Sequence, residues 1–459
     1  MRLHFHGAVK NVTGTRHIVE TDGRLILLDC GMIQGSRAEA NEKNRTLPFE
    51  PAKINAVVLS HAHIDHSGSL PVLVRGGFRG HIFTHPATAD LCDIMLRDAA
   101  HIQEQDAEFL NRKLKKHHKP LIEPIYTQKE AAAVGPRFAN VEYGKPFEPV
   151  PGVKATLRDA GHILGSATVT LELKGKVIIF SGDLGRPGMP ILRDPERLPE
   201  ADVLITECTY GDRLHESAAD MKSRLREVIA RTLSRKGKVV IPAFAVGRTQ
   251  NIVYYLSELV KENALPQIPV FVDSPLAISA TEVFKKHPEC FDRETLSRLG
   301  ENGGPLRFPG LKYTSSVEES RAINDVNEPC VIISASGMCE SGRILHHLRH
   351  TVNERRNTIC IVGHQAENTL GRRIVEKRRD IRIFGELYPL NAFVETIEGF
   401  SAHADWREML EFYEPLKKRL GNVFLVHGDS ERCVTFAQKL EEAGYKNVVV
   451  SEEGVPYEI

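Results

Sequence analysis

One short segment, SHAHIDH at residues 60–66, constrains this chain more than any other part of it. An apolar run of strand length, AVVLS, leads directly into the segment, and the residues behind it predict a helix. Because side chains alternate along an extended stretch, His61 and His63 point the same way. Asp65 and His66 then lie at the start of the helix, where they can serve a neighbouring ion. Donors of these types at this spacing suit Zn²⁺, and a chance cluster of surface histidines is the weaker interpretation.

Three more polar residues each follow a predicted strand. His162 stands in GHILG after VKATL, Asp183 in SGDLG after KVIIF, and His427 in VHGDS after NVFLV. Taken singly, each residue could be an ordinary helix cap or a buried core residue. Functional sites, however, form where the ends of strands converge at one edge of a sheet. Together with the motif, these residues provide enough donors for two metal ions.

Length and composition narrow the class of protein. A chain of 459 residues is too long for one ordinary domain, and 41% hydrophobic with 26% charged residues is a globular composition. The 60 basic and 60 acidic residues leave no net charge, which excludes a global field that attracts polyanions. Any affinity for nucleic acid must therefore come from local clusters or from metal ions.

The cysteines and the N-terminal residues indicate a compartment. Eight cysteines without a CxxC pair predict reduced thiols instead of a disulfide framework. The first residues, MRLHFHGAVKNVTG, lack the apolar stretch of a signal peptide. The chain has no run of about twenty apolar residues, so we expect no membrane span. We predict a cytoplasmic protein.

The pattern of predicted strands and helices changes twice along the chain. From about residue 212 onward a strand, a loop with glycine or serine and a helix repeat, as in KVVIPAFAVGRTQNIVYYL and CVIISASGMCESGRILHHL. Strands that alternate with helices imply a parallel, Rossmann-like sheet. After about residue 377 the chain becomes rich in predicted strands again.

With these residues in place, the chain resembles the metallo-β-lactamase superfamily, whose signature is HxHxDH. The resemblance implies two Zn²⁺ ions per chain. The ligands of the first ion would be His61, His63, His162 and Asp183. The ligands of the second ion would be Asp65, His66, Asp183 and His427, so that Asp183 bridges the two. The resemblance also implies that Asp29, in LLDCG, orients ligands without binding metal; an ordinary aspartate at a strand end is the alternative.

Two further motifs resemble those of the β-CASP nucleases, a branch of this superfamily. Glu207 in ITECTYGDR is similar to one of them and His403 in GFSAHAD to another, while His427 matches a third. The resemblance implies an α/β protein, an αββα metallo-β-lactamase sandwich with an inserted Rossmann-like, parallel-sheet β-CASP domain. We predict the first part of the lactamase domain at residues 1–208, the β-CASP domain at 209–377, and the second part, with the RNA-specificity motif, at 378–459.

The residue at position 427 bears on the substrate. In the β-CASP family the RNA-directed members carry histidine there, as His427 does here, whereas DNA-repair members carry an aliphatic residue. SAHAD and VHGDS are most similar to the branch of the pre-mRNA 3′-end-cleavage endonuclease and its free-standing prokaryotic relatives. The resemblance implies a zinc-dependent ribonuclease that hydrolyses RNA phosphodiesters with a metal-activated hydroxide. It would act as an endonuclease, either alone or with 5′ exonuclease activity as well.

Three residues carry the expected catalysis. We expect His403 to protonate the leaving oxygen, while a hydrogen bond to the carboxylate of Glu207 holds its ring. Asp65 is expected to orient the attacking hydroxide while it also binds metal. Cleavage would then leave 3′-hydroxyl and 5′-phosphate ends.

Phosphate binding is expected at helix N-termini of the inserted domain, which follow loops with glycine or serine. The residues that we expect to grip RNA phosphates across the cleft between the domains are Arg248, Ser336, Gly337 and Arg343. Helix caps and tight turns explain the same residues equally well. The segment RILHHLRH at residues 343–350 adds three histidines that we assign to the surface or the core.

Two alternatives stand beside the ribonuclease hypothesis. A DNA nuclease of the same branch is the first, and His427 argues against it. A catalytically silent RNA-processing scaffold is the second, and the complete set of expected ligands argues against that. RNA is the expected partner and no membrane is expected. A homodimer is left open, and we expect no assembly domain for a large processing complex.

Overall fold

The computed structural model describes residues 1–35, 41–215, 218–300, 304–363 and 365–459. The chain divides into two compact units. The first comprises Met1–Pro187, Asp194–Leu214 and His403–Ile459, and the second comprises Gly188–Arg193 and His215–Ala402. The predicted domain boundaries after residues 208 and 377 stay predictions. Within the described ranges, no helix is both long and apolar enough to cross a membrane.

The first unit contains two seven-stranded sheets. In spatial order the strands of the first sheet are Pro456–Glu458, Arg2–His6, Arg16–Thr21, Arg24–Leu28, Ile54–Val58, His81–Thr84 and Phe138–Asn140. Those of the second sheet are Val448–Val450, Asn422–Val426, Val203–Glu207, Lys176–Phe180, Ala167–Leu173, Val153–Asp159 and Pro146–Val150. Each sheet combines antiparallel hairpins at one end with parallel strands at the other.

The two sheets share one apolar core. Ile26 and Val58 of the first sheet belong to the same buried cluster as Val169, Phe180 and Ile205 of the second. Side chains alternate along a strand, so the intervening apolar residues lie on the outer faces and need cover. Burial of such surfaces, at roughly 25 cal/mol per Å², is what holds the sheets together.

Helices supply this cover. On the second sheet, Leu204 and Leu425 pack with Met409, Tyr413 and Phe436 from two helices. On the first sheet, helices connect the parallel neighbours, as a parallel crossover requires. The helices of the first unit are Ile64–Ser67, Leu70–Arg75, Pro86–Lys116, Gln128–Ala132, Trp406–Tyr413 and Ser430–Glu442. These layers give the first unit an αββα order.

The second unit is built on a six-stranded sheet in which every pair of neighbours is parallel. In spatial order its strands are Leu311–Tyr313, Val270–Asp273, Val331–Ser334, Val239–Pro242, Thr358–Ile361 and Phe393–Thr396. The four central strands are buried along their whole length, which explains their continuous apolar runs.

Helices and a separate hairpin complete the second unit. The helices are Ala218–Ser234, Arg248–Lys261, Pro275–Lys286, Arg293–Ser297, Val317–Asp325, Ile344–Thr351 and Leu370–Val375. The hairpin pairs Asp380–Ile383 with Glu386–Pro389. The predicted α/β class, with a helix-covered sandwich and an inserted parallel sheet, is confirmed.

Candidate metal centre and active site

The SHAHIDH segment leaves the strand Ile54–Val58 and turns into the short helix Ile64–Ser67. His63 stands at the N-cap of this helix with φ −54° and ψ 145°, and Asp65 and His66 follow within the single turn of the helix. The turn is packed tightly against the chain, because a Cβ on Gly31 would lie 1.6 Å from the carbonyl oxygen of Asp65. Only glycine allows this approach, which fixes the backbone that carries the polar side chains.

One group of side chains brings four donor atoms together. The group consists of His61, His63, His162 and Asp183. The Nδ1 atom of His63 lies 3.1 Å from Nε2 of His61 and 3.2 Å from Nε2 of His162. Oδ2 of Asp183 lies 3.3 Å from Nε2 of His61 and 3.5 Å from Nε2 of His162. Residues from three different loops therefore meet at one point.

A second group lies on the other side of the Asp183 carboxylate. Nε2 of His66 lies 3.2 Å from Oδ1 of Asp183 and 3.1 Å from Nε2 of His427. Oδ2 of Asp65 lies 3.6 Å from Nε2 of His427. Thus the two oxygens of Asp183 face different groups, as a bridging carboxylate would.

The geometry and chemistry of both groups fit metal ions. In a tetrahedral zinc site with bonds of about 2.0–2.1 Å, neighbouring ligand atoms are separated by about 3.3 Å, close to the distances between these atoms. Ring nitrogens that point their lone pairs at one another repel unless a cation lies between them. Oδ1 of Asp183 is buried and accepts no hydrogen bond from the described residues, and a cation would satisfy this oxygen.

Asp29 fixes the orientation of the histidine rings. It is fully buried and accepts hydrogen bonds from the backbone N–H of Ser60 (2.7 Å), the hydroxyl of Ser60 (2.7 Å) and Nδ1 of His66 (2.6 Å). Because the Ser60 hydroxyl donates to Asp29, it can accept from Nδ1 of His61, 3.0 Å away. Both rings thereby present Nε2 to the metal groups.

Thr209 plays the same part for His427. Its hydroxyl lies 3.1 Å from the carbonyl oxygen of His427, to which it donates, and 3.1 Å from Nδ1 of the ring. The hydroxyl therefore accepts the Nδ1 proton and leaves Nε2 available to a metal. Neither Ser60 nor Thr209 was among the site residues predicted from the sequence. Their one signal is their position: Ser60 stands directly before His61, and Thr209 stands two residues after Glu207.

Burial and charge set the protonation of the group. Burial lowers the pKa of His61 to about 3 and that of His63 to about 4, so both rings are neutral and ready to bind metal at pH 7. Burial would also lower the pKa of His66, but Asp183 and Asp29 outweigh it and raise this pKa well above its usual value. Metal binding at His66 would therefore release a proton.

Glu207 and His403 form a pair beside the first group. Glu207 ends the strand Val203–Glu207, is fully buried, and accepts a hydrogen bond of 2.6 Å from the backbone N–H of Leu184. Nδ1 of His403 donates to Oε2 of Glu207 across 2.9 Å, and its ring centre lies 4.5 Å from that of His162. Burial lowers the pKa of His403, yet the Glu207 and Asp183 carboxylates outweigh this and raise it to about 9.

The four residues expected to hold phosphates all lie in the second unit. Arg343 donates to Oδ1 of Asp273 across 2.7 Å and to the carbonyl of Ser315 across 2.6 Å. Arg248 donates to the carbonyl of Val362. Both guanidinium groups thus have a structural role, and their phosphate-binding role stays a prediction.

The other two expected phosphate-binding residues form a tight turn. The Ser336 hydroxyl accepts a hydrogen bond of 3.1 Å from the backbone N–H of Glu340. A Cβ on Gly337 would lie 3.1 Å from the backbone nitrogen of Phe244, so this glycine serves close packing. Their role toward RNA also stays a prediction.

Comparison with known proteins decides the family. Three family models match in chain order: the metallo-β-lactamase superfamily at residues 17–88, the Beta-Casp domain at 249–374 and a Zn-dependent metallo-hydrolase RNA specificity domain at 387–451. Ribonuclease TTHA0252 of Thermus thermophilus is 35% identical over 99% of this chain and 100% of its own length. The chain belongs to the β-CASP family of metallo-β-lactamase proteins. It is a metal-dependent hydrolase of the nuclease type, and the matched specificity domain indicates RNA as its substrate class.

Other similarities agree with this membership. Transcription termination factor FttA of Methanocaldococcus jannaschii is 29% identical over 98% of this β-CASP chain and 70% of its own length. The factor of the same name from Thermococcus kodakarensis is 30% identical over 95% and 68%. A solved protein of unknown function from Enterococcus faecalis matches 99% of both chains with a TM-score of 0.61 at 12% identity, which shows the shared fold alone.

Proposed function

We propose that this protein is a zinc-dependent endoribonuclease that hydrolyses RNA phosphodiesters to 3′-hydroxyl and 5′-phosphate ends. The observation that carries the proposal is the pair of donor groups on either side of Asp183, with His403 beside them. Five imidazole and two carboxylate donors suit zinc better than magnesium or calcium, which prefer oxygen ligands.

The expected ligand roles follow the two groups. The first ion would be held by His61, His63, His162 and Asp183, and the second by Asp65, His66, Asp183 and His427. When bound, such ions lower the pKa of water and offset the negative charge of the phosphate. Asp29, Ser60 and Thr209 hold three of these rings in place through their Nδ1 atoms.

The protein's own residues would direct the protons of the reaction. Asp65 is 20% exposed at its side chain, more than the other carboxylates of the site, so one of its oxygens can orient the attacking water. His403 gives its Nδ1 proton to the hydrogen bond with Glu207, which leaves Nε2 to protonate the departing 3′-oxygen. The raised pKa of His403 favours the cationic ring that such a proton donor needs.

Three features support RNA as the substrate and the cytoplasm as the location. His427 lies inside the match to the RNA specificity domain, and a relative of full-length similarity bears the name ribonuclease. We expect Arg248 and Arg343, with the turn at Ser336 and Gly337, to contact RNA phosphates. All eight cysteines are buried and free, which supports a reducing compartment.

The proposal is tested by incubating the zinc-loaded protein with end-labelled RNA and with DNA of the same sequence. We expect internal cuts in the RNA alone, with 3′-hydroxyl and 5′-phosphate ends. Preferential cutting of DNA would support the DNA nuclease alternative instead. A main product with a 2′,3′-cyclic phosphate would contradict the proposal, because it means that the ribose 2′-hydroxyl was the nucleophile.

A further inference from the structure

The small hairpin of the second unit presents one side to the core and the other to solvent. Ile381 and Ile383 are buried at 1% exposure, so Arg382, which lies between them, points outward. Arg382 pairs directly with Leu387 on the outward face, and Leu387 is 64% exposed. Arg382 and Leu387 are both exposed, so this face of the hairpin is open to solvent in the described part of the chain.

The turn of this hairpin displays an aromatic ring. Phe384 and Gly385 connect the two strands, and both have positive φ angles, 51° and 87°. Such a turn favours asparagine or glycine at its first central position, because a bulky residue in the left-handed region is strained. Phe384 is nonetheless 52% exposed, with its ring centre 4.7 Å from that of His346. A side chain held there against its backbone preference, and mostly in solvent, contributes little to folding.

The chain segment that leads into the hairpin and forms it is rich in basic residues. In a chain with no net charge, residues 372–387 carry six basic and three acidic side chains. Arg372 and Arg378 share the single carboxylate of Glu376, at 2.8 Å and 2.9 Å. Arg382 donates to the carbonyl of Gly385 across 2.7 Å, which holds its cation at the turn. Residues 372–387 therefore carry a net charge of +3, which comes from residues 372–379, directly before the hairpin.

The neighbouring helix Ile344–Thr351 extends this surface. Arg349 donates to the hydroxyl of Tyr388 across 2.8 Å and lies 3.6 Å from Glu386. A hydrogen bond and an ion pair thus join the helix to the hairpin. His346 comes from the same helix and meets Phe384. His346, which the catalytic site does not use, thus helps to build the surface, whereas His347 of the same helix is fully buried beside Asp273.

We propose that this hairpin surface binds single-stranded RNA, with a base stacked on Phe384 and phosphates bound by Arg382 and Arg349. An aromatic face within a basic surface is the combination that binds single strands without reading their sequence. A second copy of this chain is the other candidate occupant. A two-fold contact, however, would bring together the net positive charge of residues 372–387 from both copies, which disfavours it. The inference rests on the proposed function only in taking the bound RNA as substrate.

The test separates stacking from general apolar contact. Phe384→Leu keeps an apolar side chain but removes the aromatic face, whereas Phe384→Trp keeps that face. Fluorescence anisotropy with a labelled, phosphorothioate-linked RNA, checked by gel to stay intact, measures the affinity of each variant of the zinc-loaded protein. We expect the leucine variant to bind roughly 5- to 150-fold more weakly and the tryptophan variant to bind at least as tightly as wild type.

Salt dependence tests the charges. Arg382→Ala should reduce the slope of log affinity against log salt by about 0.7, the value for one phosphate contact to a single strand. Arg2→Ala is the matched control, since Arg2 is 51% exposed in the first unit and should leave the slope unchanged. An unchanged slope for Arg382→Ala together with unchanged affinity for Phe384→Leu would overturn the inference.

Two further measurements keep this inference distinct from the proposed function. If wild type fails to cut RNA while Phe384→Leu still weakens RNA binding, the proposed function falls and the binding surface stands. If wild type cuts RNA and neither Phe384→Leu nor Arg382→Ala binds RNA more weakly, the proposed binding surface is wrong and the proposed function is unaffected. Should sedimentation show a wild-type dimer that Phe384→Ser dissociates without any change in RNA affinity, the surface belongs to a second copy and the inference is wrong.

Discussion

Replacement of Asp29 by asparagine would introduce a donor at a carboxylate whose three neighbouring polar groups all donate to it. Oδ1 of Asp29 accepts the backbone N–H of Ser60 across 2.7 Å. Oδ2 accepts both the Ser60 hydroxyl at 2.7 Å and Nδ1 of His66 at 2.6 Å. With the side chain fully buried, water cannot rearrange these bonds.

Asparagine has two orientations, and each fails differently. If its NH₂ group faces the Ser60 backbone, two donors oppose each other in a buried position. If its NH₂ group faces His66, the ring must accept at Nδ1 and carry its proton on Nε2. That proton would then occupy the atom that lies 3.2 Å from Oδ1 of Asp183 and is expected to bind metal.

The first orientation leaves buried donors unpaired, which costs about 1–3 kcal/mol. Loss of a residue that orients a ligand in this way lowers metal affinity by about 10–100-fold. We therefore expect Asp29→Asn to bind zinc about 10–100-fold more weakly in a chelator competition assay, with its far-ultraviolet circular dichroism unchanged.

The matched control is Asp22→Asn. Asp22 is 64% exposed at its side chain and pairs with Lys174 at 2.6 Å on the surface. This variant should retain wild-type zinc affinity. If Asp29→Asn also retains it, the orienting role assigned to Asp29 is refuted.

Four further outcomes are expected. His403→Ala should lower the rate of RNA cleavage by about 10²–10⁴-fold with its metal content unchanged, and an undiminished rate would remove His403 as the proton donor. Thr209→Val should weaken zinc binding by about tenfold while Thr209→Ser restores it, since only the serine hydroxyl can accept the Nδ1 proton; equal affinities would disprove the orienting role. Gly31→Ala should lower the free energy of unfolding by about 1–3 kcal/mol in urea denaturation, because its Cβ would lie 1.6 Å from the Asp65 carbonyl oxygen. An unchanged free energy of unfolding would show that the loop accommodates the added methyl group without strain. Burial would raise the pKa of Asp273, but hydrogen bonds from its neighbours hold it well below its usual value, so its contribution to stability is present above about pH 3.9 and is lost as the pH falls further. The difference in unfolding free energy between wild type and Asp273→Asn should therefore narrow between pH 7 and pH 3, and a constant difference would contradict this.

Much of the fold follows from local sequence patterns. The strand-and-helix alternation predicted a parallel sheet because each buried strand reads as a continuous apolar run. The spatial order of the strands was beyond such patterns. Phe393–Thr396, for example, pairs with Thr358–Ile361 in the second unit, a contact between segments that no periodicity links.

The candidate site was accessible from sequence for a geometric reason. His162, Asp183 and His427 each follow a strand, and the structure brings their side chains to the same edge as the SHAHIDH segment. Strand ends can be recognised from apolar runs, so residues that follow them can be singled out. Their roles as ligands stay predictions until metal is measured.

Other features depend on contacts between distant segments. Ser60 and Thr209 matter through hydrogen bonds to Asp29 and His427, and serine and threonine are too common to stand out in a sequence. The exposed ring of Phe384 was likewise hidden, because an apolar residue beside a glycine usually marks an ordinary turn.

We propose that the two donor groups around Asp183 each hold a zinc ion. Anomalous diffraction at the zinc absorption edge, from crystals of the zinc-loaded protein, tests it most directly. We predict two peaks, one about 2.0–2.2 Å from donor atoms of His61, His63 and His162 and the other at the same range from Asp65, His66 and His427, with Asp183 between them. A single peak, or peaks away from Asp183, would contradict the claim.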